Sequence, residues 1–149
     1  MAEVTPLFIT LIGKDNRPIL IHSVGTGIKD VNEELKYNTL SNISLDYFES
    51  KLFDWNISPE NASPMNMLFE IEGVCVFAMW IKPTGLKIVL GFDPSLPFDR
   101  ENDPSILNVF QRVKEMYSRV KTNPFLNLQD EGNEKLAIGL EEKLKAEYN

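Results

Sequence analysis

The chain has 149 residues, 43% of them hydrophobic, 10% aromatic and 25% charged, a composition inside the globular range and outside the disordered one. A domain of this length buries roughly 70% of its unfolded surface, so it requires no disulfide or metal staple, and one domain is expected. The net charge of -7 repels phosphate backbones and anionic headgroups, which excludes nucleic acid and bare membrane as partners of the average surface.

Leu7-Phe8-Ile9-Thr10-Leu11-Ile12 is nearly continuous in apolar residues and reads as a strand covered on both faces. Gly13 to Pro18 supplies turn chemistry, and Ile19 to Val24 follows as the second strand of a hairpin. After Gly25-Thr26-Gly27 a long helix starts between Asn32 and Asn38, either of which suits its cap. In it Leu45, Phe48, Leu52 and Trp55 recur at spacings of three and four, with Leu40, Ile43 and Tyr47 alongside, an apolar stripe that predicts a helix lying flat on a sheet. Pro59 and Pro64 close it with a surface loop.

Met67 to Glu72, Val74 to Ile81 and Leu86 to Phe92 read as three strands, and their short connections predict an antiparallel meander. The last of them is apolar on both alternating faces around its middle and is expected at the centre of the sheet. Asp103-Pro104 marks an N-cap and first helical residue. Ile106, Phe110, Val113, Tyr117 and Val120 then form one apolar stripe. Asn123-Pro124 stops that helix, and a shorter one with Leu136, Leu140 and Leu144 ends the order β-β-α-β-β-β-α-α.

No stretch approaches the roughly 18 apolar residues of a membrane span, and Met1 to Thr10 carries Glu3 and Pro6 where a targeting signal needs basic and then apolar residues. A cytosolic protein is expected, so the N-x-Ser matches at Asn42 and Asn61 are read as chance. Cys75, the single cysteine, sits in an apolar run as a small hydrophobe and fits a reducing compartment.

Catalytic chemistry finds no residue set. His22 is the single histidine, in an apolar strand without a nucleophile motif beside it, and is read as a partly buried or edge-strand residue. One histidine and one cysteine fall short of the about four ligands of structural zinc. Asp99 to Asp103 lacks the glycine and glutamate of a calcium loop, and Gly25-Thr26-Gly27 lacks the lysine and further glycine of a phosphate cradle. No catalytic residue, metal or cofactor is expected.

Asp46 lies opposite the Leu45-Phe48-Leu52 stripe, in line with Asn42, Glu49 and Phe53. That line is either a solvated face with one tolerated aromatic or a partner-docking face anchored by phenylalanine. Asn123-Pro124-Phe125 reads as a helix stop with Phe125 folded back, in preference to an exposed peptide ligand.

The strings Phe8 to Ile12, Pro18 to Ile21, Ser44 to Glu49 and Arg119 to Phe125 resemble the sedlin-like branch of the TRAPP small subunits, the trafficking protein particle complex subunit 2-like proteins. Leu35 to Ile43 and Gly85 to Val89 look most like the fungal members. The resemblance spans nearly the whole chain. It implies an α+β, longin-like (SNARE-like) fold with five antiparallel strands, one helix on one face and two on the other. It also implies a non-catalytic subunit that joins a core small TRAPP subunit to a large peripheral one and supports the Golgi-associated form acting on Rab-type GTPases. In related proteins the aspartate at the Asp46 position contributes to partner contacts. The chain departs from the family in longer loops at Gly25 to Val31 and Pro94 to Asp103, and in Leu126 where relatives often carry an aromatic. A longin-type adaptor or SNARE regulatory domain is the alternative, disfavoured because no heptad or anchor follows. An enzyme of profilin-like shape lacks a nucleophile, base and metal set.

Overall fold

Runs rich in Ile, Val, Leu and Phe between turn residues become the strands of one sheet. The computed structural model describes residues 5–13, 16, 18–24, 31–49, 65–71, 73–81, 85–95, 104–121, 138–144 and 146. In chain order these contain β1 (Phe8–Ile12), β2 (Pro18–Ser23), α1 (Val31–Phe48), β3 (Met65–Ile71), β4 (Val74–Ile81), β5 (Leu86–Phe92) and α2 (Pro104–Lys121). Residues 138–144 form a third helical segment.

The strands run in the order β2-β1-β5-β4-β3, and every neighbouring pair is antiparallel. The hairpin, the meander and the central place of β5 agree with expectation. Pro18 opens β2 at a register shift opposite Ile12, a position where a residue without an N–H costs the ladder little. Gly73, at φ 74°, turns β3 into β4 in the left-handed region that favours glycine.

Side chains alternate across β5 into two apolar layers. On one face Ile88, Leu90 and Phe92 join Phe77 and Met79 of β4 beneath Ile106, Phe110, Val113 and Val120 of α2 and Leu140 and Leu144 of the third segment. On the other, Phe8, Ile12, Val76, Ala78 and Val89 meet Tyr37, Leu40 and Phe48 of α1. The structure is therefore α+β, with one helix on one face and two on the other.

Three details differ from expectation. Helix α1 begins at Val31, so Asn32 and Asn38 lie inside it and neither is its cap. Its sheet-facing line is Tyr37, Leu40, Ser41, Ser44 and Phe48, while Leu45, Ile43 and Tyr47 are half-buried on its flanks. Serines fit there because each hydroxyl returns a hydrogen bond to a carbonyl four residues earlier: Ser41 Oγ to Tyr37 O at 2.8 Å and Ser44 Oγ to Leu40 O at 2.8 Å. Strand β3 starts at Met65, two residues before the expected start, because Asn66 interrupts the apolar run without interrupting the ladder. His22 lies on edge strand β2 opposite Ile9, as expected of an edge-strand residue, and is buried there. Leu52, Phe53, Trp55, Pro59, Asn61, Pro64, Gly25 to Gly27, Asp99 to Asp103, Asn123 to Phe125 and Leu136 lie outside the described residues.

Candidate protein-binding face of the first helix

Three contacts in succession seat α1 on the sheet, two on β1 and the last on β4. The Tyr37 ring stacks on Phe8, with centroids 4.8 Å apart. Ser41 Oγ meets Thr10 Oγ1 at 2.7 Å. Because the single Ser41 proton goes to Tyr37 O, the Thr10 hydroxyl is the donor between them. At the far end, Phe48 packs edge-on to Trp80, with centroids 6.0 Å apart at 89°.

With that inner line occupied, Asn32, Leu35, Thr39, Asn42, Asp46 and Glu49 are exposed. Their spacings alternate three and four, which places them on one outward ridge, about 21 Å long from Leu35 to Glu49. The structure thus brings together Asn42, Asp46 and Glu49, while Phe53 lies outside the described residues. Sequence reasoning missed Leu35, which is 58% exposed, the most open large hydrophobic side chain among the described residues. Its signal was available, since it stands seven residues before Asn42 on the same line.

The charges on this ridge run against the helix. The last turn of α1 carries no basic residue, and the carbonyl end of a helix disfavours anions, each by about 0.3–1 kcal/mol when exposed. Asp46 and Glu49 are placed there nonetheless.

Beneath the same turn is a charge inside the sheet. Lys87 of β5, 6% exposed, lies between Ile12 of β1 and Trp80 of β4 in the ladder. Its Nζ is 4.8 Å from the centroid of the Trp80 ring and 5.5 Å from that of Phe48, and it donates to Asn16 Oδ1. Asn16 occupies the left-handed region at φ 63°. Burial pushes the Lys87 ammonium below its ordinary value, and the Glu49 carboxylate pulls it partly back. A lone lysine in an otherwise apolar run was the sequence signal for this cluster.

Cys75 is buried in β4, and its thiol donates to Glu70 Oε1 at 2.9 Å across the β3–β4 pair. Among the described residues no group of three or more His, Cys, Asp or Glu is placed to hold a metal ion. No helix among them is long and apolar enough to cross a membrane.

An antiparallel five-stranded sheet with, among the described residues, α1 alone on one face defines a longin-like α+β protein, and the chain belongs to the sedlin family, whose model matches residues 11–144. It is 46% identical over 130 residues to a TRAPP-associated protein, TCA17, of Saccharomyces cerevisiae, covering 87% of this chain and 85% of the relative. It is also similar to the trafficking protein particle complex subunit 2-like proteins of Bos taurus, 26% identical over 124 residues, and Rattus norvegicus, 27% identical over 124 residues. Each of these alignments covers 82% of this chain and 84% of the relative.

Proposed function

We propose that the chain is a non-catalytic subunit of a TRAPP vesicle-tethering complex, and that it supports assembly of the Golgi-associated form that activates Rab-type GTPases. The observation that carries this reading is the 46% identity, over most of both chains, to a protein named as TRAPP-associated. In this role the chain works from the cytoplasmic side of the Golgi. It joins a core small subunit to a large peripheral one and touches the GTPase only indirectly.

The outward ridge of α1 is the surface that makes the contact. Leu35 offers an apolar anchor at one end, and Asn42, Asp46 and Glu49 offer acceptors at the other. Acidic groups at the carbonyl end of a helix detract from its stability, so a basic partner surface supplies a reason for them.

Asp46→Tyr tests the surface. The side chain is exposed, so the variant is expected to melt like the wild type. Its recovery of TRAPP subunits in affinity purification is expected to be lost. Undiminished recovery would refute the site, and absence of TRAPP subunits from the wild-type purification would refute the function.

A further inference from the structure

We infer that Lys87 is the positioning residue of the docking ridge: through the Phe48 and Trp80 rings and the Asn16 side chain, it fixes the last turn of α1, on which Asp46 and Glu49 are displayed. The inference rests on the reading that this ridge docks a partner.

The geometry points to Lys87 because a buried ammonium on a central strand is an expensive way to fill space. An apolar side chain of similar length would fill it without desolvating a charge, and such replacements are often neutral or stabilising. What a methylene chain cannot do is attract from several directions at once. Nζ faces Trp80 of β4 at 4.8 Å and Phe48 of α1 at 5.5 Å, and donates to Asn16, which lies 71 residues away in sequence, beyond the end of β1. The Glu49 carboxylate at the close of α1 acts on the same charge. Lys87 therefore meets groups from three other parts of the chain where α1 ends.

Two further fixings of α1 lie further back, at Tyr37 on Phe8 and Ser41 on Thr10, and within the last turn Tyr47 lies against Phe69 of β3, with ring centroids 5.2 Å apart. The Tyr47 contact holds the turn that carries Asp46 and Glu49 on its β3 side, and Lys87 holds it on its Phe48 side. Without the ammonium, Phe48 keeps its apolar seat, but the rotation of the turn about that ring is no longer set by charge. The fold then survives while the acceptors on the ridge lose their fixed spacing.

The test uses Lys87→Met, Lys87→Arg and Asp46→Tyr in the full chain. Three readouts are taken: melting temperature, backbone hydrogen exchange by mass spectrometry over residues 44–49, and recovery of TRAPP subunits. Lys87→Met is expected to melt at or above the wild type, to exchange faster over residues 44–49 only, and to bind about tenfold more weakly. Lys87→Arg, which keeps the charge and the ring contacts, is expected to restore exchange and to recover most of the binding. Unchanged exchange over residues 44–49 in Lys87→Met overturns the inference, and so does a lower melting temperature with faster exchange throughout, which marks the lysine as a stability element alone. Locally faster exchange with full recovery, while Asp46→Tyr loses recovery, overturns the positional role and leaves the docking reading standing. Full recovery in both variants shows that the docking reading has failed, and the positional role fails with it.

Discussion

At position 91 the central strand has no side chain, and the Phe8 ring fills the space a Cβ would need. A methyl there would also lie 2.9 Å from Val74 Cγ1, well inside van der Waals contact. Gly91→Ala is therefore an overpacking change within the α1 layer, expected to cost about 1–3 kcal/mol in urea denaturation. Lys87 works in the opposite sense. Its ordinary pKa of 10.5 is lowered in the folded chain, so between the folded value and 10.5 the unfolded chain binds more protons and stability rises with pH. Below that window the lysine is charged in both states, and the burial penalty is present in full. Lys87→Met is expected to be neutral to about 2 kcal/mol more stable at neutral pH. Its advantage over the wild type should shrink as pH climbs toward 10.5, and denaturation at pH 7 and in alkaline buffer checks the sign. In the sequence, Gly91 and Lys87 both stood inside an apolar run as apparent blemishes; their roles depend on Phe8, Phe48 and Asn16, which periodicity within β5 does not reach.

Among elements, the two long helices differ in how openly they announce themselves. Helix α2 buries Ile106, Val109, Phe110, Val113, Tyr117 and Val120 on one side, and Pro104 is its first residue, so its stripe and its start were both legible. In α1 the sheet-facing positions include Ser41 and Ser44, so counting apolar residues rotated the expected stripe toward Leu45. The Ser41–Thr10 pair gives this a measurable consequence. Thr10 is fully buried, and Ser41→Ala removes the acceptor for its hydroxyl, at an expected cost of about 1–3 kcal/mol. The double variant Ser41→Ala, Thr10→Val removes both polar groups and is expected to recover most of that loss in the same urea titration. The outer line of α1 was legible where the inner one was not. Asn42, Asp46 and Glu49 all fall on the exposed ridge, because a residue opposite any reasonable sheet-facing line points to solvent.

For the molecule as a whole, the net charge of -7 and the acidic end of the α1 ridge point toward a basic counterpart. Association with TRAPP subunits is therefore expected to weaken as salt rises, because screening contracts from about 10 Å at 0.1 M to about 3 Å at 1 M. Recovery in affinity purification across a salt series measures it, and a response flat with salt would assign the ridge's contribution to Leu35 alone. Strand count, helix count, antiparallel pairing and the central place of β5 were determined by the sequence itself, since apolar period and turn residues are local properties of the chain. Only the tertiary structure decided which line of α1 meets the sheet and what the lysine of β5 is for. Those outcomes depend on contacts 31 and 71 residues apart in sequence, between Ser41 and Thr10 and between Lys87 and Asn16, and no local period carries them.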